Sequence, residues 1–136
     1  MIKFDVNCNP PTATSQQKGA FRCGNGIRFF TKPHVKQAQN DLAEYLRPFS
    51  PEEQLGGALL LRLKFKFPMR KSETKARRAL GHLPHDKRPD LDNVAKLTID
   101  VMAKLNWFKD DAQIARMELE KEWSIVPGIL GEINEL

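Results

Sequence analysis

The sequence predicts an α+β fold in which a small mixed or antiparallel β-sheet is packed by two main helices on one face. Three observations predict it: apolar and cationic residues alternate over residues 59–67, apolar residues follow helical spacing over residues 93–106, and alternation returns over residues 115–125. The length of 136 residues is that of a single domain, residues 1–136. The chain is 40% hydrophobic and 29% charged, which is typical of a globular domain.

The first half of the chain predicts a strand, a hairpin and a helix. Residues 2–6 alternate apolar and polar side chains, which favours a short strand. Residues 21–30 resemble a hairpin that turns at Gly24-Asn25-Gly26, because glycine and asparagine tolerate a positive φ. Pro33 is suited to the first turn of a helix, which we expect to run to about residue 46.

The second half predicts two longer strands around a basic connection and a helix. The alternating run at 59–67 ends at Pro68, and residues 69–89 form the connection, with a short helix around residues 74–80. The helix at 93–106 leads to the strand at 115–125, which Pro127-Gly128 ends, and the tail is assigned no element. Only two substantial helices cover the apolar face of the 59–67 strand, so we expect a partner subunit to bury the rest of it.

Composition excludes several classes of protein. Cys8 and Cys23 are too few for a disulfide framework and fit a reducing cytoplasm. No apolar run approaches the roughly 20 residues that a membrane span needs, and the N-terminus does not resemble a signal peptide. We therefore expect a cytoplasmic protein without membrane contact.

Basic charge is concentrated in one part of the chain. The net charge is +5, yet residues 60–89 carry ten Lys and Arg against Glu73 and Asp86, whereas residues 90–136 carry five against ten acidic residues. Such a block suits a polyanion such as nucleic acid, and a solvated loop that keeps the protein soluble is the alternative.

Acidic residues flank the second helix. Asp90 and Asp92 alternate across Leu91, so an extended approach would point both carboxylates the same way, and Asp92-Asn93 suits the N-cap. Lys96 lies four residues after Asp92, on the same helical face.

A second acidic pair, Asp110-Asp111, follows the helix. A helix of about fourteen residues spans roughly 21 Å, so this pair reaches the first only if the chain doubles back or another chain intervenes. Converging carboxylates would need a cation, and their hard oxygen atoms suit Mg²⁺. The alternative is structural: a helix cap, a turn, and an ordinary ion pair of Lys96 with Asp92 or Asp100.

These motifs resemble the signature of the RusA family of endodeoxyribonucleases, which resolve Holliday junctions. The resemblance is carried by the run KRPDLDN at residues 87–93, by Lys96 and Asp100, and by DDAQI at residues 110–114. It implies that Asp90, Asp92 and Asp111 are catalytic acids that bind Mg²⁺, with Mn²⁺ as a substitute. It implies in addition that Lys96 corresponds to the catalytically important lysine of the family. It also implies an intertwined homodimer, paired nicks that leave a 5′-phosphate and a 3′-hydroxyl, and no organic cofactor.

The basic segment resembles the prophage-borne branch of the family, which carries an insertion there. We expect phosphate contacts to branched DNA from the segment and from the hairpin, at Lys71, Arg77, Arg78, His85, Lys87, Arg88, Lys18 and Arg22. His85 would contact DNA or the acids from the basic loop, with an ordinary exposed histidine as the alternative. Two other functions stay open: a phage nuclease for other branched DNA, and a non-catalytic DNA-binding dimer whose acids are structural.

Overall fold

The computed structural model describes residues 1–13 and 18–136, which form two β-sheets and three α-helices. The strands are β1 (Ile2–Val6), β2 (Lys18–Cys23), β3 (Gly26–Thr31), β4 (Leu59–Pro68), β5 (His82–Pro84), β6 (Ile114–Ser124) and β7 (Gly128–Glu135). The helices are α1 (Pro33–Leu46), α2 (Lys75–Arg78) and α3 (Leu91–Lys104). The 3₁₀ turns Arg47–Phe49 and Asp111–Gln113 complete these elements.

The main sheet has five strands in the order β1-β7-β4-β6-β5. The long central strands β4 and β6 are parallel, and the other neighbouring strands are antiparallel. Among the residues that the structure describes, strands β2 and β3 pair only with each other, and they turn at Gly24, whose φ is +58°. The predicted α+β class, the mixed sheet and the hairpin are confirmed.

One face of the main sheet is buried under α1 and α3. Leu61, Leu63 and Phe65 of β4 point into this core, because alternate residues of a strand share a face. The helices contribute buried apolar side chains at Val35, Leu42, Leu46, Val94, Leu97, Val101 and Met102. The apolar face of β4 is therefore covered within one chain, and the expectation that a partner subunit must cover it is wrong.

The opposite face of the sheet is a ladder of ion pairs. Arg62 of β4 pairs with Glu118 of β6 at 2.8 Å and with Glu132 of β7 at 3.1 Å. Lys64 lies 3.4 Å from Glu122. Cross-strand neighbours on one face lie close enough for such pairing. These two cations of the basic block are thus neutralised by neighbouring strands.

Two strands were not predicted. The C-terminal tail forms β7, which lies between β1 and β4 and buries Ile129 and Ile133. Three residues of the basic connection form β5, an edge strand beside β6. Both are stabilised by pairing with distant strands, which short local patterns do not reveal. In the part of the chain that the structure describes, no helix has the length and apolar character to cross a membrane.

Candidate active site

Helix α3 begins at Leu91, two residues earlier than predicted, and this changes how the first two acids are presented. Asp90 is the N-cap residue, and its carbonyl accepts a hydrogen bond from the N–H of Val94 at 3.1 Å. Asp92 lies in the first helical turn. Helical residues are about 100° apart, so the expected strand-like alternation of Asp90 and Asp92 is wrong, as is the cap at Asp92-Asn93. Both carboxylates instead lie at the helix N-terminus, where the helix dipole favours negative charge.

Lys96 connects α3 with the second acidic pair. Its ammonium group lies 2.6 Å from Oδ2 of Asp111 and 3.2 Å from Oδ1 of Asp100. The hydrogen bond from Lys96 lowers the pKa of Asp111, and the same bond raises the pKa of Lys96. At neutral pH Lys96 is therefore a cation and Asp111 an anion, held together at the second turn of α3.

The chain doubles back after α3 to make this contact. The backbone N–H of Trp107 bonds to the carbonyl of Met102, and its indole Nε1 donates to Oγ of Ser50 at 3.0 Å. Trp107 is fully buried, so it holds the reversal in the core. Asp111 thus reaches the second turn of α3 within one chain, so the chain doubles back, which is one of the two arrangements that the sequence allowed.

The turn that carries Asp111 is fixed by its neighbours. Asp110 caps the 3₁₀ turn by accepting the N–H of Ala112 at 2.8 Å. The Gln113 side chain accepts the backbone N–H groups of Lys109 and Asp110 and donates to the carbonyls of Leu55 and Gly57. Sequence reasoning missed Gln113, although an acidic cap followed three residues later by Gln is the pattern of a capping box. This anchoring limits where the Asp111 carboxylate can move.

The three carboxylates that the resemblance implies as metal ligands have suitable ligand atoms, but their side chains do not form a cluster. Within residues 1–13 and 18–136, no three His, Cys, Asp or Glu side chains come close enough to hold an ion. Asp90, Asp92 and Asp111 offer only carboxylate oxygen atoms, which are the ligands that Mg²⁺ and Mn²⁺ accept. Lys96 is the cation beside Asp111 in this arrangement. The donor set therefore fits a hard divalent cation.

The arginines of the basic segment bind within the segment itself. Arg70 and Arg77 pair with Glu73 at 3.3 and 2.8 Å, and the Glu73 side chain is only 7% exposed. The Arg78 guanidinium donates to the carbonyls of Arg70 and Glu73. Arg77 and Arg78 thus hold the segment around α2, while Lys71 is exposed. Their predicted DNA contacts stay predictions.

His85 is buried, so the alternative of an ordinary exposed histidine is wrong, while its contact with DNA stays a prediction. Its side chain stacks on Trp123 with ring centroids 3.7 Å apart, and its Nδ1 accepts the backbone N–H of Lys87 at 3.1 Å. Burial, with the nearby charge of Lys121, lowers the pKa of His85 to about 4. The ring is neutral at physiological pH and supports the loop that leads to Asp90.

The other predicted DNA contacts lie on two surfaces. Arg88 and the His85 ring line a cleft of about 590 Å³ between the 8–13 segment, α1 and the ends of β4 and β6. Lys87 is exposed next to this cleft, and Arg22 is exposed on the hairpin. The side chain of Lys18 lies outside the described residues. Lys87 and Arg88 shortly precede Asp90 in the sequence, whereas Arg22 lies on a separate sheet.

Lys121 is a residue of this region that sequence reasoning missed. It belongs to β6, and its ammonium group donates to the carbonyl oxygens of Lys87 and Pro89, the latter at 2.8 Å. A signal was present: Met117, Leu119 and Trp123 occupy the apolar positions of the alternating pattern, and Lys121 interrupts them.

Comparison with known proteins gives two matches that agree. A family model described as endodeoxyribonuclease RusA matches residues 9–134. The crossover junction endodeoxyribonuclease rusA of Lactococcus phage r1t is 27% identical over 120 residues, which cover 88% of this chain and 87% of the phage protein. The range matched by the family model includes the positions of Asp90, Asp92, Lys96 and Asp111 and nearly the whole fold described above.

Proposed function

Because the chain belongs to the RusA family of endodeoxyribonucleases, we propose that it resolves four-way DNA junctions with Asp90, Asp92, Asp111 and Lys96. Three features support this proposal. The match to the phage protein, which is named for crossover junctions, extends over most of both chains. Asp90 and Asp92 lie at the start of α3, and two basic residues, Lys87 and Arg88, shortly precede them in the sequence.

The observation that carries the proposal is the contact between Lys96 and Asp111. These residues are fifteen positions apart, and nothing in the packing of the core requires their side chains to meet, since each is more than 40% exposed. Exposed ion pairs contribute little to stability, typically less than about 1 kcal/mol. The buried side chain of Trp107 and a capping box nevertheless hold Asp111 at this point, which favours a catalytic role over a structural one.

Asp90, Asp92 and Asp111 would hold a Mg²⁺ ion, for which Mn²⁺ can substitute. The ion supplies Lewis-acid chemistry: it activates a water molecule and neutralises charge on the phosphate. Asp90 and Asp92 are both exposed at the start of α3, so neither carboxylate is enclosed by the core. The turn at Asp111–Gln113 supplies the third carboxylate from a fixed backbone.

Lys96 supplies a positive charge at the site. Its protonated form is favoured by Asp111 and Asp100, so it stays charged at neutral pH. An ammonium group placed beside the scissile phosphate stabilises the additional negative charge of the transition state. Asp100 keeps Lys96 on this side of α3 when Asp111 is engaged elsewhere.

A homodimer is the second part of the proposal, and the hairpin β2–β3 supports it. The hairpin exposes large apolar side chains at Phe21, Ile27, Phe29 and Phe30. It joins neither strand to the main sheet, and an isolated two-stranded hairpin is marginally stable in water. A second copy that covers these residues would stabilise the hairpin, and two-fold symmetry would present two equivalent sites to opposed DNA strands.

The junction assay tests the proposed function directly. We expect the protein with Mg²⁺ to nick a synthetic four-way junction symmetrically in two opposed strands and to leave a linear duplex of the same sequence intact. EDTA should stop cleavage without releasing the junction. Equal cleavage of flaps or forks would show a broader branched-DNA nuclease, and binding without cleavage would show a DNA-binding dimer with structural acids.

The basic segment predicts a measurable salt dependence of junction binding. Lys71 and Lys75 are exposed and make no ion pair in the described part of the chain, whereas the arginines beside them do. The double change Lys71→Gln, Lys75→Gln should therefore reduce the slope of log K against log salt by up to about 2, because each phosphate contact contributes about 0.9. Fluorescence anisotropy from 50 to 300 mM salt measures it.

The control for this experiment is the double change Lys3→Gln, Lys104→Gln, which removes the same charge from exposed positions on β1 and at the end of α3. We expect this control to keep the wild-type slope. Equal slopes for all three proteins would mean that the segment at 71–75 contacts no phosphate.

A further inference from the structure

The side chain of Lys121 lies on the face of β6 where the sequence pattern places apolar residues. Lys121 is paired in register with Phe65, a buried residue of the core face of β4. The glutamates of β6 lie on the opposite face, where they pair with Arg62 and Lys64. Lys121 is half-buried at this position, and its ammonium group makes two hydrogen bonds.

Its partners are backbone carbonyls rather than carboxylates. The ammonium group donates to the oxygens of Lys87 and Pro89, and no acidic side chain pairs with it in the described residues. The Pro89 carbonyl belongs to the peptide group that joins Pro89 to Asp90. Lys121 therefore fixes the last peptide plane before the first acid of the site.

His85 holds the same short segment from another side. Its Nδ1 accepts the N–H of Lys87, while Lys121 binds the carbonyl of that residue. The backbone N–H and the backbone carbonyl of Lys87 are therefore both bound by side chains. Lys121 belongs to β6, and the ring of His85 stacks on Trp123 of the same strand. The segment 87–89 has no regular secondary structure of its own, so these bonds decide its path.

We propose that Lys121 is a positioning residue that sets the Asp90 carboxylate for the divalent cation by clamping the carbonyls of Lys87 and Pro89. This inference rests on the proposed function, because it assigns to Lys121 an effect on a site that Asp90 helps to form. In this role Lys121 acts through the backbone of residues 87–89, because its ammonium group binds two carbonyls of that segment. Groups that orient a metal ligand typically change metal affinity 10- to 100-fold when they are removed.

The test compares Lys121→Met, which keeps the stem and removes the ammonium group, with Lys121→Arg, which keeps donors. Mn²⁺ binding to the protein alone is measured by calorimetry, and amide exchange over residues 85–92 by mass spectrometry. For Lys121→Met we expect Mn²⁺ affinity to fall about tenfold or more, with faster exchange confined to that segment. Lys121→Arg should restore both properties at least in part. Lys66→Met, a half-buried lysine on β4, is the matched control and should alter neither.

The outcomes separate this inference from the proposed function. If wild-type protein cuts junctions while Lys121→Met keeps wild-type Mn²⁺ affinity and exchange, the positioning role is wrong and the nuclease stands. If wild-type protein neither binds Mn²⁺ nor cuts junctions, the proposed function and this inference both fail. If Lys121→Met does not fold, Lys121→Gln takes its place; unchanged Mn²⁺ affinity in that variant would equally reject the positioning role.

Discussion

Replacing Asp90, Asp92 or Asp111 singly with asparagine is expected to reduce junction cleavage by on the order of 10³-fold or more. Asparagine keeps the size of the side chain but loses the charge that a hard divalent cation requires. Binding to the junction should stay intact or become tighter, because each change removes negative charge from a surface that faces phosphate. Single-turnover cleavage and anisotropy on the same junction measure the two effects separately.

Two controls belong to this series. Asp5→Asn changes the net charge equally on β1 and should leave cleavage near wild type. Asp110→Asn should have a milder effect than Asp111→Asn, because asparagine is also a good N-cap residue for the turn that carries Asp111. A single variant of Asp90, Asp92 or Asp111 with near-wild-type cleavage would remove that residue from the required ligands.

Disrupting the hairpin is expected to convert an active dimer into an inactive monomer. Sedimentation equilibrium at low micromolar concentration should give twice the chain mass of 15.5 kDa for the wild type. The double change Ile27→Ser, Phe29→Ser removes two of the most exposed apolar side chains from β3 and should give the single chain mass. Loss of the second site should abolish paired nicking, since two opposed strands must be cut in one complex.

The matched control for the hairpin is Arg22→Gln, which alters an exposed charge on β2 without reducing apolar surface. We expect it to remain dimeric and to weaken DNA binding only. A monomeric wild type that still makes paired nicks would contradict the dimer. A serine variant that stays dimeric but loses DNA binding would assign the hairpin surface to DNA instead.

Local patterns were enough to predict much of this fold. Alternation over β4 and β6 and the apolar stripe of α3 predict the elements, because burial on one face imposes a period of two on strands and about 3.6 on helices. Local patterns also predicted strand β1, the hairpin turn at Gly24 and the start of α1 at Pro33 correctly. The catalytic candidates came from the motifs and their resemblance to a family, and not from periodicity.

Strand β7 and the site geometry could not be predicted in this way. The tail lies inside the sheet because β1 and β4 pair with it, and the partners on β1 are more than 120 positions away in the sequence. The start of α3 at Leu91 was missed because Asp90 and Asp92 are both good cap residues, and only packing decides between them. The burial of His85 depends likewise on Trp123, which lies 38 positions later in the sequence.

The sequence by itself determined which residues carry the chemistry: carboxylates, one lysine and a basic segment, since charge and ligand type are properties of single side chains. The tertiary structure alone decided which of them meet. Lys96 contacts Asp111 because a buried Trp107 reverses the chain, and Lys121 holds the approach to Asp90 because β6 places it there. Contacts between distant residues arise from packing that is decided by the whole core at once, and no short window of sequence contains that information.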